Sequence, residues 1–142
     1  MELTQQQKLE ILCAYLPHGV EALVDLGGIN PTKCKLAMAG CNHSRGYFES
    51  KHFSGWSEKY KLILRHPDDI TEEELIQLGK FLCNDQGLNN NIARENAQNW
   101  LKGYLKVSLS PQWAINSTNY LQSIHIDTFG AIEAGFAIRK EI

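Results

Sequence analysis

The sequence contains no run approaching the ~20 apolar residues that a membrane span requires. Residues 1–7 are polar and residues 9–16 carry helical patterning, so no continuous apolar leader is present, and a cytoplasmic location is expected. The spacings on which most recognisable chemistry depends are missing too. There is no Cys-x-x-Cys knuckle and no pair of histidines three to five residues apart, which removes the usual structural zinc frameworks. Gly27-Gly28 begins like a phosphate-binding loop, but no Lys-Ser or Lys-Thr follows, and Gly27-Gly28-Ile29-Asn30-Pro31 reads as a turn. The His-x-Glu and Pro-Cys-x-x-Cys signature of zinc deaminases is absent as well.

Cysteine is scarce, four in 142 residues, and a chain of this size without an export signal gains little from disulfides. Free thiols are expected, with Cys13 and Cys83 on apolar helix faces and Cys34 and Cys41 flanking a strand. Cys34, Cys41, His43 and His52 fall within nineteen residues and have the ligand types of a zinc site without its spacing. A small zinc-dependent enzyme built on these four is therefore an alternative only. Cys41 and His43 also lack a local group to orient the imidazole as a base. No catalytic residue, metal or cofactor is expected.

What the chain does have is a composition typical of a globular protein, 43% hydrophobic and 21% charged, and a length that suits one domain over residues 1–142. Thr4 and Gln7 form a capping box, followed by Leu9, Leu12, Cys13 and Leu16 at helical spacing. Val20, Ala22, Val24 and Leu26 alternate with polar residues as a half-buried strand would. Further strands are expected at 35–41, 46–52 and 59–65, paired as an antiparallel meander. Thr71 and Glu74 make a second capping box for a helix with Leu75, Leu78, Leu82 and Cys83 on its apolar face. Residues 92–107 predict another helix, with Trp100, Leu101, Tyr104 and Leu105 as its buried stripe. Ser110-Pro111 opens a last one, running to about residue 124. The fold class is α+β: a small antiparallel sheet of about four strands covered by three or four helices.

The net charge of −2 conceals a strong asymmetry. Residues 33–66 hold seven basic side chains (Lys33, Lys35, Arg45, Lys51, Lys59, Lys61 and Arg65) against Glu49 and Glu58, while both flanking segments are acidic. Asp68, Asp69, Glu72, Glu73 and Glu74 sit where a helix N-terminus favours negative charge, and capping accounts for most of them, with an acidic interaction surface as the one functional alternative. The basic block coincides with the strands and contains Tyr47, Phe48, Phe53, Trp56 and Tyr60. Cations interleaved with aromatics are the ingredients of a single-stranded nucleic-acid platform. In the strand at 59–65, however, Lys59, Lys61 and Arg65 share one parity and Tyr60, Leu62 and Leu64 the other, so there cations and aromatics face apart. The candidate nucleic-acid or acidic-partner surface is Lys33, Lys35, Arg45, Lys51, Phe53, Trp56, Lys59, Lys61 and Arg65.

Three segments carry a resemblance: Ala14-Tyr15-Leu16-Pro17-His18-Gly19; Lys61-Leu62-Ile63-Leu64-Arg65-His66-Pro67; and His125-Ile126-Asp127 leading into Phe129-Gly130-Ala131-Ile132-Glu133-Ala134-Gly135-Phe136-Ala137-Ile138. Together they resemble a group of short uncharacterised proteins from phages and prophages of Bacteroidetes. The group shares a Tyr-Leu-Pro-Tyr-Gly-Leu-like opening, an Ile-Leu-Arg-Pro strand and a Gly-Leu-Ile-x-x-Gly-Leu-Ala-Ile-like end. This sequence departs from it at His18, His66 and Phe136. The resemblance implies an origin in a mobile element and no particular activity. Small non-enzymatic proteins of such elements are often inhibitors of host defence, anti-CRISPR proteins among them. The resulting expectation is a non-catalytic binding protein in the host cytoplasm, engaging a host protein or protein–RNA complex such as a CRISPR effector, or single-stranded RNA directly. A self-associating phage structural or accessory protein, joined through its apolar C-terminal tail, is the second expectation.

Overall fold

The computed structural model describes residues 2–28, 30–40, 45–102 and 111–141. These fall into two compact units, Met1–His66 with Gln122–Ile142 and Pro67–Leu121.

The first unit is built on a sheet. Its elements in chain order are α1 (Gln5–Tyr15), β1 (Glu21–Val24), β2 (Thr32–Ala39), β3 (Gly46–Glu49), β4 (Ser54–Ser57), β5 (Tyr60–Leu64) and β6 (Ala137–Arg139). The strand order is β4-β3-β2-β1-β5-β6, antiparallel throughout except for β5 and β6, which run parallel. The sheet is thus six-stranded and mixed, a correction to the roughly four antiparallel strands expected. Ser54-Gly55-Trp56-Ser57 has turn composition and becomes a strand only because β3 lies beside it, closed by the Ser50 N–H donating to the Phe53 carbonyl at 2.7 Å. The last strand is added by a return of the chain that local pattern cannot announce.

Local chemistry fixes the start of α1. Thr4 Oγ1 accepts from the Gln7 backbone at 3.1 Å, and Gln7 Oε1 accepts from the Thr4 backbone at 2.8 Å. Its buried face is Ile11, Leu12 and Tyr15, so Cys13 turns outward to solvent, against the expectation of an apolar position. One face of the sheet buries Ala22, Val24, Cys34, Leu36, Phe48, Leu62 and Leu64 against this helix and against Ala131, Phe136 and Ala137. Each fully buried leucine or phenylalanine there contributes roughly 1.5–3 kcal/mol. The strand expected to reach Leu26 stops at Val24, and Leu26 is exposed. The C-terminal apolar tail is spent on the chain's own core, which leaves neither Phe136 nor Ala137 available for self-association.

The three segments that carry the resemblance meet inside this unit. The Tyr15 hydroxyl donates to the Ile126 carbonyl at 2.5 Å and accepts from the Thr128 backbone at 3.0 Å. His125 Nε2 donates to the His18 carbonyl at 2.6 Å. Arg65 bridges to residue 126 in a short parallel pairing, and its Nη1 donates to the Ile124 carbonyl at 3.3 Å. Buried Asp127 then accepts backbone N–H groups from Phe129, Ala131 and Ile132 at 3.0–3.1 Å. In this chain these segments are architectural: they lock the C-terminal segment to the first helix and to β5.

The second unit comprises α2 (Glu72–Leu82), α3 (Asn90–Leu101) and most of α4 (Pro111–Ser123). The Thr71–Glu74 capping box forms as read, with contacts of 3.2 and 2.9 Å. Asn89 of the asparagine run caps α3, its Oδ1 accepting from Asn91 and Ile92. The α3 face differs from the expected one: Ala93 and Ala97 are buried, Leu101 is exposed, and Tyr104 and Leu105 lie outside the described residues, as does Ser110. Thr71→Ala removes a cap acceptor and should cost about 1 kcal/mol, read as a lower urea midpoint with an unchanged slope. Among the described residues no helix is long and apolar enough to cross a membrane.

Candidate interaction face

Because side chains alternate along a strand, the face opposite α1 is set by the same pleat that builds the core. Phe48 points inward, so Tyr47 and Glu49 point outward. Gly55 faces inward, so Trp56 and Ser54 face outward. On β2 the outward set is Lys33 and Lys35. An irregularity between Leu36 and Met38 then shifts the register, so that Met38 stands opposite Tyr47 on the outer side. On β5 Lys61 faces outward while Leu62 and Leu64 are buried, as the parity argument requires.

This face is therefore not a lysine plane with its aromatics hidden. Tyr47 and Trp56 pack edge to face, ring centroids 5.4 Å apart. Met38 and Trp56 are each 48% exposed, large values for residues of their size. The row Met38–Tyr47–Trp56 crosses β2, β3 and β4, beside Lys35.

Charges on the face are interleaved. Lys33 Nζ lies 3.5 Å from Glu21. The strand register places Lys35 between Glu21 on one side and Glu49 on the other. Arg45 is tied to Glu58 by a 2.8 Å contact. Lys59 and Lys61, with Leu23, Asp25, Gly28, Pro31, Glu58 and Tyr60, line a cleft of about 430 Å³ at the end of the sheet. Neither lysine forms an ion pair with another described residue, and the cleft joins the open face through Leu23, which stands opposite Lys61.

The nine residues read from the sequence separate into groups. Lys33, Lys35, Trp56 and Lys61 come together on the open face, with Lys59 at its rim. Arg45 is paired, and Lys51 lies in the exposed two-residue turn between β3 and β4. Phe53 packs against the core, and Arg65 holds the C-terminal segment, so both serve the fold. Tyr47 and Met38 were missed. Strand parity alone would have found Tyr47 once Phe48 was assigned inward, whereas Met38 depends on the register shift.

Tyr60, between Phe48 and Phe136 at 4.8 and 5.5 Å, belongs to the inner side. Burial first, and then the Glu58 carboxylate, push its phenol well above the ordinary tyrosine value, so it stays neutral and structural. Of the four zinc-type residues, Cys34 is buried in the core and His52 is exposed in the turn, while Cys41 and His43 lie outside the described residues. Among the described residues no three potential ligands cluster. Cys13, Cys34 and Cys83 are free thiols.

Comparison with protein-family models, with curated proteins and with solved structures finds no match.

Proposed function

We propose that the chain is a non-catalytic binding protein that engages a host protein, or the protein surface of a protein–RNA complex, through the open face of its sheet. The observation that carries this reading is the exposed Met38–Tyr47–Trp56 row on the same face as Lys33, Lys35 and Lys61. Aromatic and methionine anchors ringed by mixed charge are the anatomy of a protein interface. A phosphate backbone favours an unbroken track of cations, and Glu21 and Glu49 interrupt this one. Single-stranded RNA is accordingly the weaker partner, with the Lys59–Lys61 cleft as its best foothold.

The resemblance to phage and prophage proteins supplies the class of partner: a component of host defence, with a CRISPR effector as the first to try. The chain would then act as an inhibitor by occupancy. Expression in bacteria with active CRISPR immunity should raise the plating efficiency of a targeted phage, and the purified chain should bind the effector. Trp56→Ala should weaken that binding about 30-fold, the scale of a ~2 kcal/mol interface anchor, without unfolding an exposed edge position. Unchanged plating together with no binding to effector or guide RNA would sink the proposal. Binding to bare single-stranded RNA with a steep salt dependence would move it to nucleic acid.

A further inference from the structure

We infer that two copies of the chain associate edge to edge along β4, forming one continuous antiparallel sheet across a two-fold axis at Gly55. This rests on the sheet's edges and not on the partner reading above.

The two edges of the sheet differ. At the far edge, β6 ends in Arg139 and is followed at once by Lys140 and Glu141, charges of the kind that keep an edge from pairing. At the other edge, β4 is Ser-Gly-Trp-Ser; Glu58 and Lys59 follow it in the turn to β5, but within the strand, where β6 carries Arg139, there is no charge. Among the described residues no strand lies beyond it.

The polarity of its backbone can be worked out. Ser50 N–H donates to Phe53 O across the β3–β4 turn, so Phe53 and, by alternation, Gly55 and Ser57 bond toward β3. The Gly40 N–H to Arg45 O bond on the other side of β3 fits the same alternation, since it makes Arg45 and Tyr47 the residues that bond toward β2. The N–H and C=O groups of Ser54 and Trp56 therefore point outward, away from the sheet.

A second β4 meets these groups in self-complementary register. With Gly55 opposite its own copy, Ser54 stands across from Trp56 of the other chain at both ends of the contact, and about four backbone hydrogen bonds close. Glycine on the axis places no side chain against its twin. Opposed residues share a face, so the two open faces lie on one side of the joined sheet. Each exposed Trp56 ring then packs over the edge of the other copy, and the two Met38–Tyr47–Trp56 rows merge into one surface.

Sedimentation of the full chain at micromolar concentration tests this, with the mass of two chains expected. Ser54→Pro removes an N–H that points away from β3, so the internal ladder survives while the pairing edge is blocked; a single-chain mass is expected with unchanged circular dichroism. Ser54→Lys, a charge placed on the edge, should do the same. In the unmodified chain, the Ser54 and Trp56 amides should exchange hydrogen more slowly as concentration rises. A single-chain mass for the unmodified protein up to about 100 μM, a range within which biological self-association normally registers, overturns the inference. So does a dimer that both variants leave intact. If the unmodified chain is monomeric and Ser54→Pro abolishes partner binding, the edge takes a strand from the partner and self-pairing is refuted. A loss of dimer with partner binding retained separates this edge from the open-face reading.

Discussion

Tyr15→Phe is expected to lower the stability of the first unit by about 2–4 kcal/mol, although only one oxygen is removed. That oxygen serves two backbone groups. It donates to the Ile126 carbonyl and accepts from the Thr128 N–H, and Tyr15 and Ile126 are both fully buried. Phenylalanine fills the same space, so the transfer free energy of the ring is kept while a carbonyl and an amide lose their partner. Leaving a buried backbone group unpaired costs roughly 1–3 kcal/mol, which sets the size of the effect. Urea unfolding followed by tryptophan fluorescence would measure it, and a loss under ~0.5 kcal/mol would mean that water replaces the hydroxyl.

The same variant has a pH signature. Burial raises the Tyr15 phenol above its ordinary value of 10.0, with the Thr128 hydrogen bonds opposing in part. The folded chain thus holds the proton more tightly than the unfolded chain. The associated stability is present below about pH 10 and is lost as pH rises beyond it. The gap between the parent and Tyr15→Phe should therefore narrow above pH 10, while near neutrality it stays constant.

The legible parts of the fold are those decided by neighbours in sequence. Both capping boxes form because each needs only residues three apart. The parity of β5 holds because Leu62 and Leu64 must be inward for any core to exist. Features that depend on distant partners were not legible. β4 has turn residues and is a strand by virtue of β3, and the parallel β6 needs the whole return of the chain along residues 126–136.

The candidate face repeats that lesson in its electrostatics. Along the chain, Lys33, Lys35 and Arg45 look like an uncompensated basic block. Across the strands, Glu21, Glu49 and Glu58 stand beside them, and the register that puts them there cannot be counted from local sequence. Aromatics moved the other way. Trp56, which lies between the strands expected at 46–52 and 59–65, sits on a strand of its own, where Tyr47 packs against its ring. A block of charge thus resolves into an aromatic row in a mixed-charge frame, which is why a protein surface became the favoured partner.

Gly79→Ala is the second large effect, and it belongs to the unit that holds α2 and α3. Gly79 is buried in the last turns of α2, at the crossing with α3. A methyl group added there would sit 1.8 Å from the Ala93 carbonyl oxygen and 2.7 Å from its Cα, both backbone atoms that no side-chain rotation can move. The helices approach closely because glycine on one faces Ala93, with Ala97 one turn further on, on the other. Alanine ordinarily favours a helix over glycine by about 1 kcal/mol, so propensity alone predicts a gain. The contact geometry reverses the sign. To admit the methyl, the two backbones must part by more than an ångström, opening voids around Leu78 and Leu82, and a net loss of about 2–4 kcal/mol is expected, at or beyond the upper end for an overpacked site. Serine should be as damaging and valine worse. Hydrogen exchange would report it as lost protection of the α2 and α3 amides, and a Gly79→Ala chain as stable as the parent would show that the two helices do not cross at this position.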